Sequence, residues 1–394
     1  MRPFLFSDVR LVSESFCGKN IQQTSGNVGK GMRSIMKNKI VTVVMALALT
    51  MSMLAGCGSQ EEATANESQV SVDETAEVDE TVKEADAEVE ETENSDAQET
   101  ETQEGEAEEE DEENYETGDA SLDNTRNQDE IGEQELLVVS FGTSFNDNRR
   151  ATIGAIEGKL DEEFGSDYSV RRAFTSQIII DHVKRRDNVS IDNLEAALER
   201  AVNNGVKTLI VQPTHLMNGF EYNELVETLA GYADAFEKVS VGEPILTSDE
   251  DFQKVLKAIT DATAEYDDGQ TAICFMGHGT EAESNGVYAK MQKLLTENGY
   301  DNYYIGTVEA TPTVEDVLEL VKAGEYTKVV LEPLMIVAGD HANNDMAGDE
   351  EDSWKSIFEA EGYEVECILR GLGEMPAIQE ILAEHAQAAI DAAH

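Results

Sequence analysis

The sequence predicts an α/β protein of two similar lobes, each a parallel sheet flanked by helices, with a cleft between the lobes. Three observations predict it. Short apolar runs alternate with helical stretches, the pattern of βαβ units and hence of parallel sheets. The alternation restarts after residue 262. Short motifs also recur: Phe141-Gly-Thr-Ser144 is echoed by His278-Gly-Thr280, and Val211-Gln-Pro213 by Leu331-Glu-Pro333. An internal duplication is the simplest account. Ligands of open α/β sheets bind at the carboxyl ends of the strands, so two lobes facing each other frame a cleft there.

The chain divides into four parts: 1–57, 58–132, 133–262 and 263–394. In the first, Lys30, Arg33, Lys37 and Lys39 precede an apolar run over residues 40–54. That run is short for a membrane span and fits the apolar region of a signal peptide. It ends in Leu54-Ala55-Gly56-Cys57, which resembles the bacterial lipobox, in which the cysteine is lipidated and becomes the first mature residue. The alternative is a chance cysteine at the end of an uncleaved anchor helix. Residues 1–31 read as an over-extended reading frame, with Met32 or Met36 the more natural start. The expected location is extracytoplasmic, with the chain held on the cell membrane by its lipid.

The second part carries the charge. The chain of 394 residues has a formal net charge of -54, with 82 acidic against 28 basic side chains. Of those acids, 30 fall between Glu61 and Glu130, against only Lys83 and Arg126. Phosphate contacts need clustered Lys and Arg, so a nucleic-acid partner is excluded. A stretch this acidic, with Tyr115 its one aromatic residue, cannot bury enough apolar surface to offset its ordering entropy. Residues 58–132 are therefore expected to be a disordered acidic linker, extended by its own charge.

In the third part, strands are expected at 136–141, 168–174, 208–212 and 239–245. Helices are expected at 149–164, over a stretch containing 191–203, and at 220–236. The fourth part repeats the scheme, with strands at 272–276, 303–308, 328–337 and 364–369. Its helices fall at 287–298, 313–323, 350–361 and 376–393. Cys17, Cys57, Cys274 and Cys367 form no CxxC pair, which excludes a zinc ribbon or a thioredoxin-like site. With strands in the order 2-1-3-4, Cys274 and Cys367 stand two strands apart, about 10 Å. That is beyond the roughly 7 Å a disulfide allows between Cα atoms.

Three residues carry the chemistry. His278, Glu309 and His341 are separated by 31 and 32 residues, each just past a successive strand of the second lobe. Right-handed crossovers bring those strand ends to one edge of the sheet, so the three side chains can converge. Two imidazoles and a carboxylate suit a borderline divalent ion such as Co²⁺, Fe²⁺, Ni²⁺ or Zn²⁺, and leave positions open for a substrate. A lone histidine at a strand end is more often a loop residue, but three ligand types at consecutive βα junctions point to a metal site.

These residues lie within longer motifs. Phe275-Met-Gly-His-Gly-Thr280, Gly306-Thr-Val-Glu309 and the stretch from Glu332 to Ala342 resemble the anaerobic-type sirohydrochlorin cobaltochelatases. Val139-Ser-Phe-Gly-Thr-Ser144 and the stretch from Gln212 to Gly219 fit the same family. The resemblance implies a class II chelatase fold with a tetrapyrrole cleft. It implies that His278, Glu309 and His341 hold Co²⁺, and that Co²⁺ enters sirohydrochlorin with release of two protons, without ATP or a redox cofactor. His278 is the expected base as well as a ligand. Family members are typically cytoplasmic, so the leader and linker set this chain apart. They favour a second reading, a surface lipoprotein that captures haem, another tetrapyrrole or a metal ion for uptake. Protein partners compatible with such a domain are further copies of itself or an ABC transporter.

The many carboxylates of the substrate call for donors. Ser140, Thr143 and Ser144 follow or end the first strand, and His215 follows the third. Glu221 and Tyr222 are weaker candidates of the same kind. Arg149, Arg150, Arg171 and Arg172 would either supply positive charge or sit as solvated element ends. His182 reads as part of a solvated helix face. Asp340, Asn343, Asn344 and Asp345 surround His341 and would orient its ring, or serve only as turn formers.

Overall fold

The computed structural model describes residues 4–5 and 117–394. Cys57, the leader expected around it and the expected linker as far as residue 116 lie outside the described residues. Among the described residues no helix is long and apolar enough to cross a membrane.

Two sheets organise the chain. The first contains β1 (Phe4–Leu5), β2 (Gln134–Ser140), β3 (Ser169–Phe174), β4 (Thr208–Pro213) and β5 (Lys238–Val241), in the order β1-β5-β4-β2-β3. All neighbours are parallel except β1, which pairs antiparallel with β5. The second contains β6 (Thr271–Gly277), β7 (Tyr303–Thr307), β8 (Lys328–Pro333) and β9 (Glu364–Cys367), all parallel, in the order β7-β6-β8-β9. Each half thus has the expected order 2-1-3-4. Leu136, Leu137, Val138 and Val139 have no exposed surface, as continuous apolar runs in two-sided parallel sheets require. Leu331 is the register partner of both Cys274 and Cys367, so a whole strand separates the two thiols, and both are free.

The helices of the first half are α1 (Asn146–Ala151), α2 (Ile153–Phe164), α3 (Gln177–Asp187), α4 (Leu194–Asn203), α5 (Phe220–Ala230) and α6 (Asp249–Ala262). Those of the second are α7 (Gly286–Glu297), α8 (Val314–Lys322), α9 (Trp354–Ala360) and α10 (Pro376–Ala393). The helix expected over 149–164 is interrupted at Thr152, whose ψ of -80° leaves the helical region while its hydroxyl bonds back to the Asn148 carbonyl.

Two helices are exchanged between the halves. From α6, Phe252, Val255 and Ile259 share a core with Ile273, Phe275 and Met291 of the second half. From α10, Ile378, Ile381 and Leu382 share that same core with Leu136, Val138 and Ile210 of the first. The α10 helix packs on β4, β5, α2 and α6. The outer faces have their own cores, under α4 and α5 in one half and under α8 and α9 in the other. A chain boundary between 262 and 263 therefore does not separate two packing units.

The described residues N-terminal to 133 pack against the first half. Residues 117–131 form a strap held by charge. Asp123 accepts from Arg149 Nε at 2.7 Å and from Arg172 at 2.7 and 3.1 Å. Arg172 also bonds Glu157, and Arg171 bonds Asp192 and Glu135. Arg149, Arg171 and Arg172 are completely buried. This corrects the expectation that they line the cleft or face solvent: each is paired with a carboxylate, without which burying a guanidinium would be prohibitive. Arg150 pairs with Asp147 on its own helix at 2.9 Å. His182 is also corrected: it is buried, with both ring nitrogens against Arg185 and Arg186.

Candidate metal centre

His278 follows the last residue of β6 directly. Gly279 after it has φ +91°, and a Cβ there would stand 2.8 Å from the Ala310 amide. Glycine therefore lets the β7 loop close against the β6 loop, which brings Glu309 beside His278. Two backbone bonds fix this approach: the Val308 amide donates to the Gly277 carbonyl at 3.0 Å, and the Glu309 amide to that of His278 at 2.8 Å. His278 Nδ1 lies 2.9 Å from the Gly279 carbonyl, a contact in which the ring donates. Nε2 is left free, 3.8 Å from Glu309 Oε1.

His341 arrives from the other side of β6, from the loop after β8. It caps a π-helical turn, Ala342–Met346, a geometry frequent at functional sites. Its Nδ1 lies 2.7 Å from Asp345 Oδ2, so Nε2 again faces the centre. The two imidazoles stand edge to face, with centroids 4.8 Å apart. The ligand atoms of His278, Glu309 and His341 all lie within 4.8 Å of one another. Burial alone would lower the His341 pKa, but the Asp345 hydrogen bond and the charges of Asp345, Asp340 and Glu309 raise it overall. A field that favours an imidazolium also favours a divalent cation. Two nitrogens and a carboxylate, all part-exposed, form a donor set that leaves coordination positions for a further ligand.

The first half meets this centre through its own strand ends. Gly339 packs against Thr143, where a Cβ would lie 3.2 Å from the hydroxyl oxygen, and the Ala338 amide donates to Asn148 Oδ1 at 2.9 Å. Beside the contact lies a hollow of about 290 Å³ lined from both halves, by Phe145, Asn148 and Ala151 and by Ala338, Asn343 and Leu369. Ser140, Thr143 and Ser144 are all buried. The Ser140 oxygen accepts from Thr214 and the Thr143 oxygen from the Phe145 amide. The Ser144 hydroxyl has no hydrogen-bond partner among the described residues. His215 has both ring nitrogens buried and unpartnered among them, and burial pushes its pKa down to about 4 against the opposing charge of Glu221. It is therefore a neutral imidazole with one donor and one acceptor to offer.

Residue spacing reveals the triad but not its supports. Among the four neighbours, the Asp345 carboxylate bonds His341, Asp340 accepts from Asn344, and Asn343 bonds backbone carbonyls. Tyr288 accepts from the Gly279 amide at 3.3 Å and Asn285 from that of Thr280 at 3.1 Å, bracing the His278 loop. Nothing in the residue pattern marks these two, beyond their place one helix turn apart after the loop.

Two largely parallel sheets thus stand side by side, with His278, Glu309 and His341 converging just beyond the strand ends of the second. The chain belongs to the cobalt chelatase family CbiK, whose model matches residues 134–391. It is 35% identical over 258 residues to the sirohydrochlorin cobaltochelatase of Salmonella typhimurium, covering 66% of this chain and 97% of that protein. It is 29% identical over 279 residues to the sirohydrochlorin cobaltochelatase CbiKC of Nitratidesulfovibrio vulgaris, covering 69% and 96%. Among solved structures it aligns with the sirohydrochlorin chelatase SirB from Bacillus subtilis subspecies spizizenii in complex with cobalt. That alignment has a TM-score of 0.47 at 15% identity and covers 66% of this chain and 97% of that one.

Proposed function

We propose that this chain inserts Co²⁺ into sirohydrochlorin, with the ion first held by His278, Glu309 and His341. The observation that carries the reading is the convergence of these three ligand atoms within 4.8 Å, in a chain of the cobalt chelatase family. The macrocycle loses two pyrrole N–H protons as the ion enters. The side chains of His278, Glu309 and His341 are 44%, 55% and 31% exposed, so the ion can be passed on ligand by ligand. As the ion leaves, the Nε2 lone pair of His278 becomes available to one of those protons, a general-base role, and the other passes to solvent. Ser144 and His215 offer unused hydrogen-bonding groups to the macrocycle, and Ser140 and Thr143 shape the loops that present them. Fe²⁺, Ni²⁺ and Zn²⁺ fit the same donor set.

The test is Co²⁺ insertion by the full chain, followed by the absorbance of the macrocycle, with metal titration alongside. His278→Ala, Glu309→Ala and His341→Ala should each weaken Co²⁺ binding and nearly abolish insertion, with thermal stability close to the parent. Parent-like metal titration by folded Glu309→Ala and His341→Ala proteins would remove the site.

The lipobox motif supports an exported form anchored through Cys57 on the outer face of the cell membrane. It also favours a second reading of the same cleft, tetrapyrrole or metal capture for uptake with an ABC transporter as partner. Radiolabelled palmitate should mark the parent and not Cys57→Ser. Equal labelling of both would end the anchor reading.

A further inference from the structure

The two halves match bond for bond at their strand ends. The strands β2 and β6 have seven residues each, β4 and β8 six, β5 and β9 four. Beyond β3 the amides of Thr175 and Ser176 donate to the carbonyls of Ser140 and Phe141. Beyond β7 those of Val308 and Glu309 donate to Gly277 and His278. Gly142 and Gly279 follow with φ of +111° and +91°. Phe141 therefore occupies in the first half the position of His278 in the second, and Ser176 that of Glu309. Glu221 stands eight residues beyond Pro213, as His341 stands beyond Pro333. Gly339 and Gly219, which stand six residues beyond Pro333 and Pro213, both lie at contacts between the halves, Gly339 against Thr143 and Gly219 near Ser284.

The first half thus carries an image of the metal centre in which an imidazole has become a phenyl ring and a carboxylate a hydroxyl. The backbone that aims His278 into the open aims Phe141 likewise: the residue is 50% exposed, although it directly follows a strand whose apolar residues are fully buried. Two ligand sets facing each other would compete for one ion. A phenyl ring cannot coordinate a metal, and it offers a flat apolar face to a conjugated plane.

We propose that Phe141 is a substrate-binding residue, a wall against which the tetrapyrrole plane lies opposite the triad. The proposal rests on the chelatase reading and adds a specificity residue to it. The experiment uses the full chain and metal-free sirohydrochlorin, with insertion kinetics, direct macrocycle binding by fluorescence and Co²⁺ titration. Phe141→Ala should raise KM and the macrocycle Kd about tenfold, the loss of one ring contact. Its Co²⁺ affinity should equal the parent's. Phe141→Tyr should retain parent binding, and Leu320→Ala, an exposed apolar residue on α8, should change nothing. Parent-like macrocycle binding by Phe141→Ala overturns the proposal. So does a parallel loss of Co²⁺ affinity, which would make the ring a support of the metal centre. If the parent inserts no Co²⁺, the chelatase reading fails, and macrocycle binding still decides on Phe141; if the parent also binds no macrocycle, both fall.

Discussion

At the scale of the residue, the centre depends on tautomer control. Both histidines engage Nδ1, His278 with a backbone carbonyl and His341 with Asp345, which leaves both Nε2 atoms to the ion. Partners behind a metal-bound imidazole are typically worth 10- to 100-fold in affinity. Asp345→Asn should therefore weaken Co²⁺ binding by roughly tenfold, with Asp345→Glu recovering part of it, read by metal titration. Unchanged affinity in Asp345→Asn would reduce the contact to a turn bond. The triad was legible because its ligands sit one βα unit apart at strand ends. Asp345 was legible only as one of a group with Asp340, Asn343 and Asn344, since the π-helical turn that brings its carboxylate to His341 is invisible to residue spacing.

At the scale of the element, the strap at 117–131 is tied to the first half by buried charge. Its composition continues the acidic run, so residue content alone assigns it to the linker. The partners that order it, Arg149 and Arg172, lie downstream and look like surface charges until the sheet buries them. A protein starting at Glu133 loses Asp123 and leaves two buried guanidinium groups short of a carboxylate. Removing one member of a buried ion network costs about 3–5 kcal/mol. Such a truncation should melt well below one starting at Thr117, whereas removal of residues 58–116 should leave stability and insertion unchanged. Equal melting temperatures for the two starts would mean that the strap contributes nothing.

At the scale of the whole molecule, α6 and α10 bind the halves into one unit. His385 on α10 joins them, with Nε2 3.2 Å from Asp251 of α6 and Nδ1 3.0 Å from the Glu243 carbonyl. Burial opposes its charge, but the bond to Asp251 prevails and its pKa is raised. Asp251, despite its own burial, is lowered by His385 and Ser248. The histidine's contribution is full below its unfolded pKa, about 6.5, and is lost as pH rises through the higher folded value. The aspartate's is full above about 3.9 and is lost as pH falls through its lower folded value. The pair therefore stabilises most between those limits. His385→Gln should flatten the decline on the alkaline side, measured by urea unfolding across pH; an unaltered pH profile would show that the pair contributes nothing. Because the exchanged helices share one core, urea should unfold both halves in a single transition. Two separate transitions would contradict that shared core. The repeat in the chain made two lobes legible, but not the exchange, since amphipathic helices do not declare which sheet they cover.

The strand lying between Cys274 and Cys367 has a consequence of another kind. A disulfide cannot span two strand steps, and burial pushes both thiols toward their protonated form, Cys367 up to about 11. Neither offers the thiolate that oxidants and exchange reactions require. Cys274 and Cys367 therefore form no bridge with each other in a glutathione-rich interior or in an oxidising exterior. Moving such a domain from one compartment to the other asks nothing new of its interior.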